Sequence, residues 1–314
     1  MTWLITGGAG YIGSHIVDLF LFSGESVVVI DNLRAGHTER LPQGVPFVQG
    51  DITSESDLES LFSHFAIRGV INLAGLKSVE ESSRIPEEYF RVNSVGVKVL
   101  LAKAKKHNVK FFIQSSSAAV YGNLDSGVAF ELLPLNPISV YGKSKLEAET
   151  QLENEISNGA IRGTSLRYFN VVGAKNLQLR DSSTENLFPI IANAIKNKLP
   201  LKVFGTDYQT RDGSCIRDYV HVLDLAQAHL LAARQIEMQE IPRHLNIGTG
   251  HGYSVLEVIE AFQVSHKYKI EVLNYPRRTG DPATLTADIA LAVKELGFHP
   301  DYGLSQMVNS TYLT

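Results

Sequence analysis

Residues 3–31 leave few folds open. Trp3-Leu4-Ile5-Thr6 is a short apolar run that reads as a buried strand. Gly7-Gly8-Ala9-Gly10-Tyr11-Ile12-Gly13 follows at once. Residues 14–21 then carry an apolar stripe at helical spacing, and Ser26-Val27-Val28-Val29-Ile30 is a second strand closing on Asp31. Strand, glycine loop, helix, strand and acid form the opening of a dinucleotide-binding βαβ unit. The spacing Gly7-x-x-Gly10-x-x-Gly13 is a variant of G-x-G-x-x-G. Its logic is steric: a pyrophosphate can approach the free N–H groups of a helix N-terminus only where side chains are missing. Asp31 lies 18 residues past Gly13. There it can accept a hydrogen bond from a ribose 2′-hydroxyl and would repel a 2′-phosphate, so NAD is expected rather than NADP. Arg34 is the nearby cation that argues the other way.

The same alternation continues. Val45 to Gln49 reads as a strand ending in Gly50-Asp51-Ile52. Residues 57–65 read as a helix with Leu58, Leu61, Phe62 and Phe65 on one face. Gly69 to Leu73 is a strand followed by Ala74-Gly75-Leu76-Lys77. Residues 86–107 are helical with an interruption near Asn93, and Val109 to Gln114 is a strand followed by Ser115-Ser116-Ser117. Near-continuous apolar strands alternating with helices predict an α/β fold, a doubly wound parallel sheet of Rossmann-like type. Ligands collect at the carboxyl ends of such strands, and the Gly7 loop, Asp31, Asp51, Lys77 and Ser117 all fall there.

After Asn170 the pattern loosens. Residues 171–185 read as a polar loop, 186–198 as a helix, 201–204 as a strand with a turn at Gly205, and 217–222 as another strand. Asp224 is expected to cap a helix at 225–233, His244 to Gly248 to return to the main sheet, and Ser254 to cap a helix at 255–262. The expected division is a cofactor domain at 1–170 and a smaller α/β substrate-binding lobe at 171–314, with segments near 203–250 rejoining the main sheet.

The chemistry-bearing stretch is Tyr141-Gly142-Lys143-Ser144-Lys145. Tyr141 and Lys145 lie four apart before a run of helix formers, so they share one helix face. A phenol with a pKa of about 10 is a poor base at neutral pH. An adjacent ammonium is expected to lower that pKa, allowing the phenolate to take a proton from an alcohol and return it. A diphosphate needs cationic, fork-shaped donors, which arginine supplies.

Bulk properties narrow the partners. Charged residues make up 20% of the 314, and net charge is −4 with no strongly basic stretch, which argues against nucleic acid and anionic membrane as main partners. Cys215 is the only cysteine, so no internal disulfide is possible. The start has no basic leader and no apolar run reaches bilayer length, so a cytoplasmic location is expected. The ten histidines show no metal-ligand spacing, and His15 and His221 are read as structural.

Gly7-x-x-Gly10-x-x-Gly13, Asp51-Ile52, Ala74-Gly75, Ser117, Tyr141-x-x-x-Lys145 and Arg167-Tyr168-Phe169-Asn170 together resemble the extended short-chain dehydrogenase/reductases, from Thr2 to about Gly297. Four blocks are similar to the UDP-glucose 4-epimerases within that family, also called UDP-galactose 4-epimerases. They are Ala74 to Lys77, Ser115 to Gly122, Cys215 to Val222, and Arg277-Arg278-Thr279-Gly280-Asp281. The resemblance implies interconversion of UDP-glucose and UDP-galactose by oxidation at sugar C4, rotation of a 4-keto sugar and re-reduction, with NAD retained. It implies Tyr141 as base, Lys145 holding the nicotinamide ribose and tuning Tyr141, and Ser117 bonded to the sugar 4-oxygen. It places the cofactor against Gly7, Gly10, Tyr11, Ile12, Gly13, Asp31, Asn32, Asp51, Ile52, Leu73, Ala74, Gly75, Lys77, Asn93, Tyr141, Lys145 and Tyr168. It places the substrate against Lys77, Ser117, Tyr141, Asn170, Asn186, Leu187, Phe204, Arg217, Arg278 and Asp281. No metal is implied.

Related dehydratases and decarboxylases carry an acid just after the catalytic Ser or Thr. Here Ala118, Ala119 and Val120 follow Ser117, which favours simple epimerisation. Leu285 sits where family members vary the side chain that limits an N-acetyl group. UDP-glucuronate and UDP-N-acetylhexosamine therefore stand as alternative substrates, and a cofactor-binding protein without chemistry as the alternative class. The family resemblance also implies a homodimer through helices near 90–107 and 141–157.

Overall fold

The computed structural model describes residues 1–278 and 280–311; Thr279 of the 277–281 block and residues 312–314 lie outside them. Seven parallel strands form the main sheet. Their spatial order is His244–Ile247, Arg162–Tyr168, Phe111–Ser117, Ile67–Asn72, Thr2–Thr6, Val27–Asp31 and Phe47–Gln49. The chain order reverses between Thr2–Thr6 and Ile67–Asn72, so the crevice for a ligand opens above Thr6 and Asn72.

The apolar strands are explained by burial on both faces. Successive side chains of a strand point to opposite sides. Trp3 and Ile5 pack on one face against Ile16, Val17 and Phe20 and the Val222–Met238 helix, while Leu4 packs on the other against Leu58, Leu61, Leu100 and Leu152. The strand predicted at 109–114 runs on to Ser117, because Ser115, Ser116 and Ser117 keep register with Leu166, Arg167 and Tyr168. The helix predicted at 86–107 is interrupted where expected: Pro86–Phe90 and Gly96–Lys106 are joined by a π-helical turn at Arg91–Val95 that contains Asn93.

The second half is built around Phe188, Ile191, Ile195, Tyr219, Phe262 and Met307. Leu187–Asn197 and Val255–His266 are its main helices; the latter starts with a capping box in which Ser254 accepts from Glu257 N and the Glu257 side chain from Ser254 N. His244–Ile247 pairs with Ser165 to Tyr168 of the main sheet, as read from the sequence.

Two local expectations change. The segment read as a loop from 171 begins as a strand, Asn170–Val172, paired with Tyr219 to His221, because Val171 and Val172 find an open edge there. Asp224 does not cap its helix. The cap is His221, whose Nδ1 accepts from Leu223 N at 3.1 Å, and the helix runs Val222–Met238. Asp224 sits in the first turn and accepts from Asp301 N (3.0 Å) and Tyr302 N (3.3 Å), tying down the C-terminal segment.

Candidate active site

The glycine loop folds onto itself. A Cβ on Gly13 would stand 2.3 Å from Gly7 O, and one on Gly7, whose φ is +67°, would stand 2.8 Å from Ala74 N. A side chain at Gly13 would pry the helix start from the loop, and one at Gly7 would separate the loop from Leu73-Ala74 on the far side of the crevice. The Tyr11–Phe22 helix then begins with no side-chain cap and no acid in its first turn. Its ladder starts at Ser14 N, which donates to Gly10 O, so the N–H groups of Tyr11, Ile12 and Gly13 lie at the open helix end. These donors and missing Cβ atoms fit a pyrophosphate.

Asp31 is buried at the end of the second strand. Its carboxylate accepts from Ala9 N (3.1 Å) and Leu33 N (2.8 Å), so it also holds the glycine loop. Burial raises its pKa and those two N–H groups oppose the rise. Asn32 Nδ2 donates to Asp51 Oδ2 at 2.9 Å along the same rim. Ile52 instead belongs to the core beside Leu58 and Val97. Tyr11 reaches across to the second half, its hydroxyl donating to Gly173 O at 2.5 Å.

The crevice floor is a buried polar chain. Thr6 Oγ1 donates to Asn72 Oδ1 (2.5 Å), Asn72 Nδ2 to Gln114 Oε1 (2.9 Å), and Gln114 Nε2 to Ser115 O (2.8 Å). Thr6 Oγ1 also accepts from Leu73 N and Ala74 N, each at 3.2 Å. Asn93 grips the next segment: its Oδ1 accepts from Leu76 N (2.8 Å) and its Nδ2 donates to Leu76 O and Ser144 Oγ (both 3.0 Å). Asn93 thereby ties the Ala74–Lys77 segment to the Tyr141 helix, a positioning role that residue type alone did not reveal.

Ser117 ends its strand, and Tyr141 and Lys145 lie in the first two turns of the Val140–Ser157 helix, which Ser139 caps by accepting from Gly142 N. The Ser117 hydroxyl faces the Tyr141 phenol and favours its ionised form. The expectation that Lys145 lowers the Tyr141 pKa is not met in the protein alone: burial raises it, and Ser117 supplies the opposing effect. The reason is geometric. Lys145 Nζ donates to Ser115 O at 3.1 Å and stands 6.0 Å from the Tyr141 ring centre. Burial pushes the Lys145 ammonium down to about 8, while Glu149 holds it up. Tyr168 is buried beside it, its hydroxyl sharing a 2.5 Å hydrogen bond with His229 Nε2.

One helical turn past Lys145, Glu149 forms a buried fork with Arg167, whose Nε and NH2 donate at 3.0 and 2.7 Å. Ser116 donates to the same carboxylate. Arg167 NH1 also donates to Tyr121 Oη (2.9 Å), which donates to Asn246 Oδ1 (2.7 Å). The fork locks the helix carrying Tyr141 to the strand that ends in Ser117 and to its neighbour Arg162–Tyr168. Arg167 was visible in its sequence block, but Glu149 was not, because a Glu in a helix of charged residues reads as surface.

The second half supplies a looser set. Arg217 NH1 donates to Ile216 O and Pro282 O (both 2.8 Å), and its NH2 to Asp281 Oδ1 (3.3 Å). The Arg278 guanidinium lies 4.0 Å over the Phe204 ring. Asn170 is exposed at the start of its strand, and Leu187 opens a helix. Asn186 stands at that helix's N-terminus, but its side chain donates to Asp181 Oδ2 at 2.5 Å rather than capping. Lys77 Nζ lies 4.0 Å from Asp181 Oδ1, so one acid joins two residues expected at the site. Asp181 was missed because it lies in a polar stretch with no periodicity or motif.

The chain matches the NAD dependent epimerase/dehydratase family over residues 3–248. It is 41% identical to the UDP-glucose 4-epimerase of Halalkalibacterium halodurans, over 99% of this chain and 95% of that one. Among solved structures it is similar to the UDP-glucose 4-epimerase of Stenotrophomonas maltophila, with NAD and formylated UDP-arabinopyranose bound. There the TM-score is 0.93 at 38% identity, covering 99% and 96% of the two chains. It is also similar to the Bifidobacterium longum UDP-glucose 4-epimerase with NAD+ and UDP, at TM-score 0.90 and 36% identity, covering 99% and 97%.

Proposed function

The chain belongs to the NAD dependent epimerase/dehydratase family, and from that premise we propose that it interconverts UDP-glucose and UDP-galactose with NAD as its cofactor. The observation that carries this reading is the facing pair Ser117 and Tyr141, above a buried Lys145, with Ala118, Ala119 and Val120 in place of any acid after Ser117. Epimerisation at C4 needs one group that takes a proton from the 4-hydroxyl and gives it back. Tyr141 has that role, and Ser117 orients the 4-oxygen. Without a second acid, elimination or decarboxylation has no proton donor at this point. NAD, when bound, supplies reversible hydride transfer and a nicotinamide positive charge that favours the phenolate.

The remaining roles follow position. Gly7, Gly10, Tyr11, Ile12 and Gly13 hold the pyrophosphate, Asp31 and Asn32 the adenosine ribose, and Asp51 the adenine side, with Ile52 packed in the core behind it. Leu73, Ala74, Gly75 and Lys77 line the crevice wall, with Asn93 positioning them, and Lys145 and Tyr168 border the nicotinamide end. Asn170, Asn186, Leu187, Phe204, Arg217, Arg278 and Asp281 hold the uridine diphosphate, while the sugar itself has few fixed contacts. Firm hold on the nucleotide with weak hold on the ring permits the 4-keto sugar to present either face. The division at residue 170 belongs to the same reading: the cofactor is gripped before it and the nucleotide after it.

We extend the reading to a cytoplasmic homodimer serving galactose metabolism. No helix among the described residues is long and apolar enough to cross a membrane. Val95, half exposed on the interrupted helix, is available to a second copy. Light scattering at micromolar concentration tests the dimer, and a monomer alone removes it.

The deciding experiment mixes purified protein with UDP-galactose and no added NAD, and follows UDP-glucose. Conversion establishes the activity and a retained cofactor. Conversion only after NAD is added keeps the chemistry with a loosely held cofactor. No conversion in either case overturns this substrate, and UDP-glucuronate and UDP-N-acetylhexosamines are assayed next.

A further inference from the structure

The adenosine end of the cofactor crevice is closed by a ring of polar contacts. Arg34, three residues past Asp31, donates its backbone N–H to Asn32 Oδ1 (3.0 Å), and its guanidinium donates to Glu88 Oε1 (3.1 Å). Glu88 accepts in turn from Arg91 (2.6 and 2.9 Å), Arg91 donates to Thr53 Oγ1 (2.8 Å), and Thr53 donates to Asp51 Oδ1 (2.8 Å). Asp51 accepts from Asn32, which closes the circuit. The ring joins the segments that follow the Val27–Asp31, Phe47–Gln49 and Ile67–Asn72 strands. A second acid, Glu81, stands 3.6 Å from the Arg34 guanidinium and is held by the Tyr89 hydroxyl at 2.9 Å.

Individually, such half-exposed ion pairs add little to stability. Stability is therefore a poor account of why two acids converge on one arginine. Their effect on the free guanidinium is larger. An arginine close to the ribose acid is the group that accommodates a 2′-phosphate in dinucleotide sites of this type. Arg34 has the right place in the chain for that, yet both acids draw its charge toward the 79–90 helices.

We propose that Glu81 and Glu88 are specificity-determining residues of the cofactor site: by engaging Arg34 they withdraw its guanidinium from a 2′-phosphate, and a cofactor with a free 2′-hydroxyl is selected. The inference rests on the NAD reading above and adds to Asp31 a second source of selection.

The test is competition on the purified protein. Bound cofactor is displaced with NAD or NADP, and the released cofactor is quantified by chromatography. In Glu81→Gln/Glu88→Gln the preference for NAD over NADP should narrow about tenfold, the scale of one charge-assisted contact. Adding Arg34→Ala should restore the original preference. Glu88→Gln alone, whose amide can still accept from Arg91, should narrow it by a smaller factor, and a thermal melt of each variant reports folding. An unchanged preference in both the double and the single variant overturns the proposal. So does narrowing that survives Arg34→Ala, since it would then come only from lost repulsion. Protein that binds neither NAD nor NADP would instead overturn the cofactor reading itself.

Discussion

The two sides of the crevice are made of different material. At the crevice floor and beneath Tyr141 the polar groups are buried and committed: Thr6, Asn72, Gln114 and Lys145 are at most 5% exposed, and each donates or accepts within a fixed chain. On the nucleotide-sugar side Asn170 and Arg278 are exposed, and Arg217 spends its donors on backbone oxygens and Asp281. Fixed geometry costs nothing further at the moment of reaction, so it belongs where hydride and proton must pass between set atoms. Exposed donors suit a substrate that enters, leaves and turns its sugar over. Rigidity in this molecule thus follows the chemistry rather than the size of the ligand.

The largest effect should come from the group at the junction. Tyr141→Phe removes the phenol that faces Ser117 and should lower kcat by about 10²- to 10⁴-fold. KM for the UDP-sugar should move less than about threefold, because the nucleotide is held on the other side. Steady-state kinetics separates the two. A large rise in KM with kcat intact would mean that Tyr141 binds rather than reacts.

Acid sensitivity should reside on the packed side and its seams. His15, His221 and His229 are buried, and burial pushes each down to about 4. Their bonds suit neutral rings, as where His15 Nε2 accepts from Lys175 N and Nδ1 faces Tyr11 O. Between about pH 6.5 and 4 the unfolded chain binds protons that the folded one does not, so stability falls as pH falls through that window, by up to about 3 kcal/mol per histidine. Asp224 opposes this: burial raises it to about 6, so it gains stability as pH falls from there toward 3.8. Asp31, Glu131 and Asp218, also raised by burial, oppose the fall in the same direction; the histidines carry it between pH 7 and 5, where the ordinary histidine value lies. Urea unfolding at pH 7 and pH 5 should show the loss, and His229→Gln should flatten it. A protein as stable at pH 5 as at pH 7 would break the account.

A paired substitution contrasts the sides directly. Gly13→Ala places a methyl 2.3 Å from a backbone oxygen in the loop that fits the pyrophosphate, at a cost of about 1–3 kcal/mol, and should yield protein depleted in NAD. Arg217→Ala should leave NAD content unchanged and raise KM by roughly 10- to 100-fold, the scale of one charge-assisted hydrogen bond. Absorbance of the purified proteins near 260 nm reports the first, and kinetics the second. If both variants lose NAD equally, the sides are one cooperative unit and the contrast fails.

Legibility in the sequence divides along the same line. The first half could be read from local rules, since strands buried on both faces must be apolar and a helix end that takes an anion must lack side chains. Tyr141 and Lys145 were legible as spacing, but the electrostatics were not: Lys145 turns its ammonium to Ser115 O, a partner 30 residues away. Glu149 and the positioning contacts of Asn93 were hidden because their partners arrive through tertiary packing. In the second half the residues came from family resemblance, since Phe204, Arg217 and Arg278 sit on short strands and turns with no periodic signal. Asp224 shows how a local rule misleads: an acid in a first turn looks like a cap, until residues 301 and 302 claim its oxygens.

The smallest effect expected is where Asp181 links the two sides. Asp181 holds Asn186 by a short hydrogen bond and faces Lys77 at 4.0 Å, joining the crevice wall to the N-terminus of the Leu187–Asn197 helix. Lys77 is 59% exposed, so its ion pair contributes little, about 0–1 kcal/mol, and salt screens it. Asp181→Asn keeps an oxygen to accept from Asn186 and removes only the charge. The expected outcome is a change in KM of about two- to fivefold, with kcat and NAD content unchanged. The wild-type KM should approach that of the variant as salt is raised from about 0.05 to 0.5 M. A loss of NAD in this variant would mean that the nucleotide side also fixes the cofactor side, and the division drawn between rigid and adaptable halves would have to be abandoned.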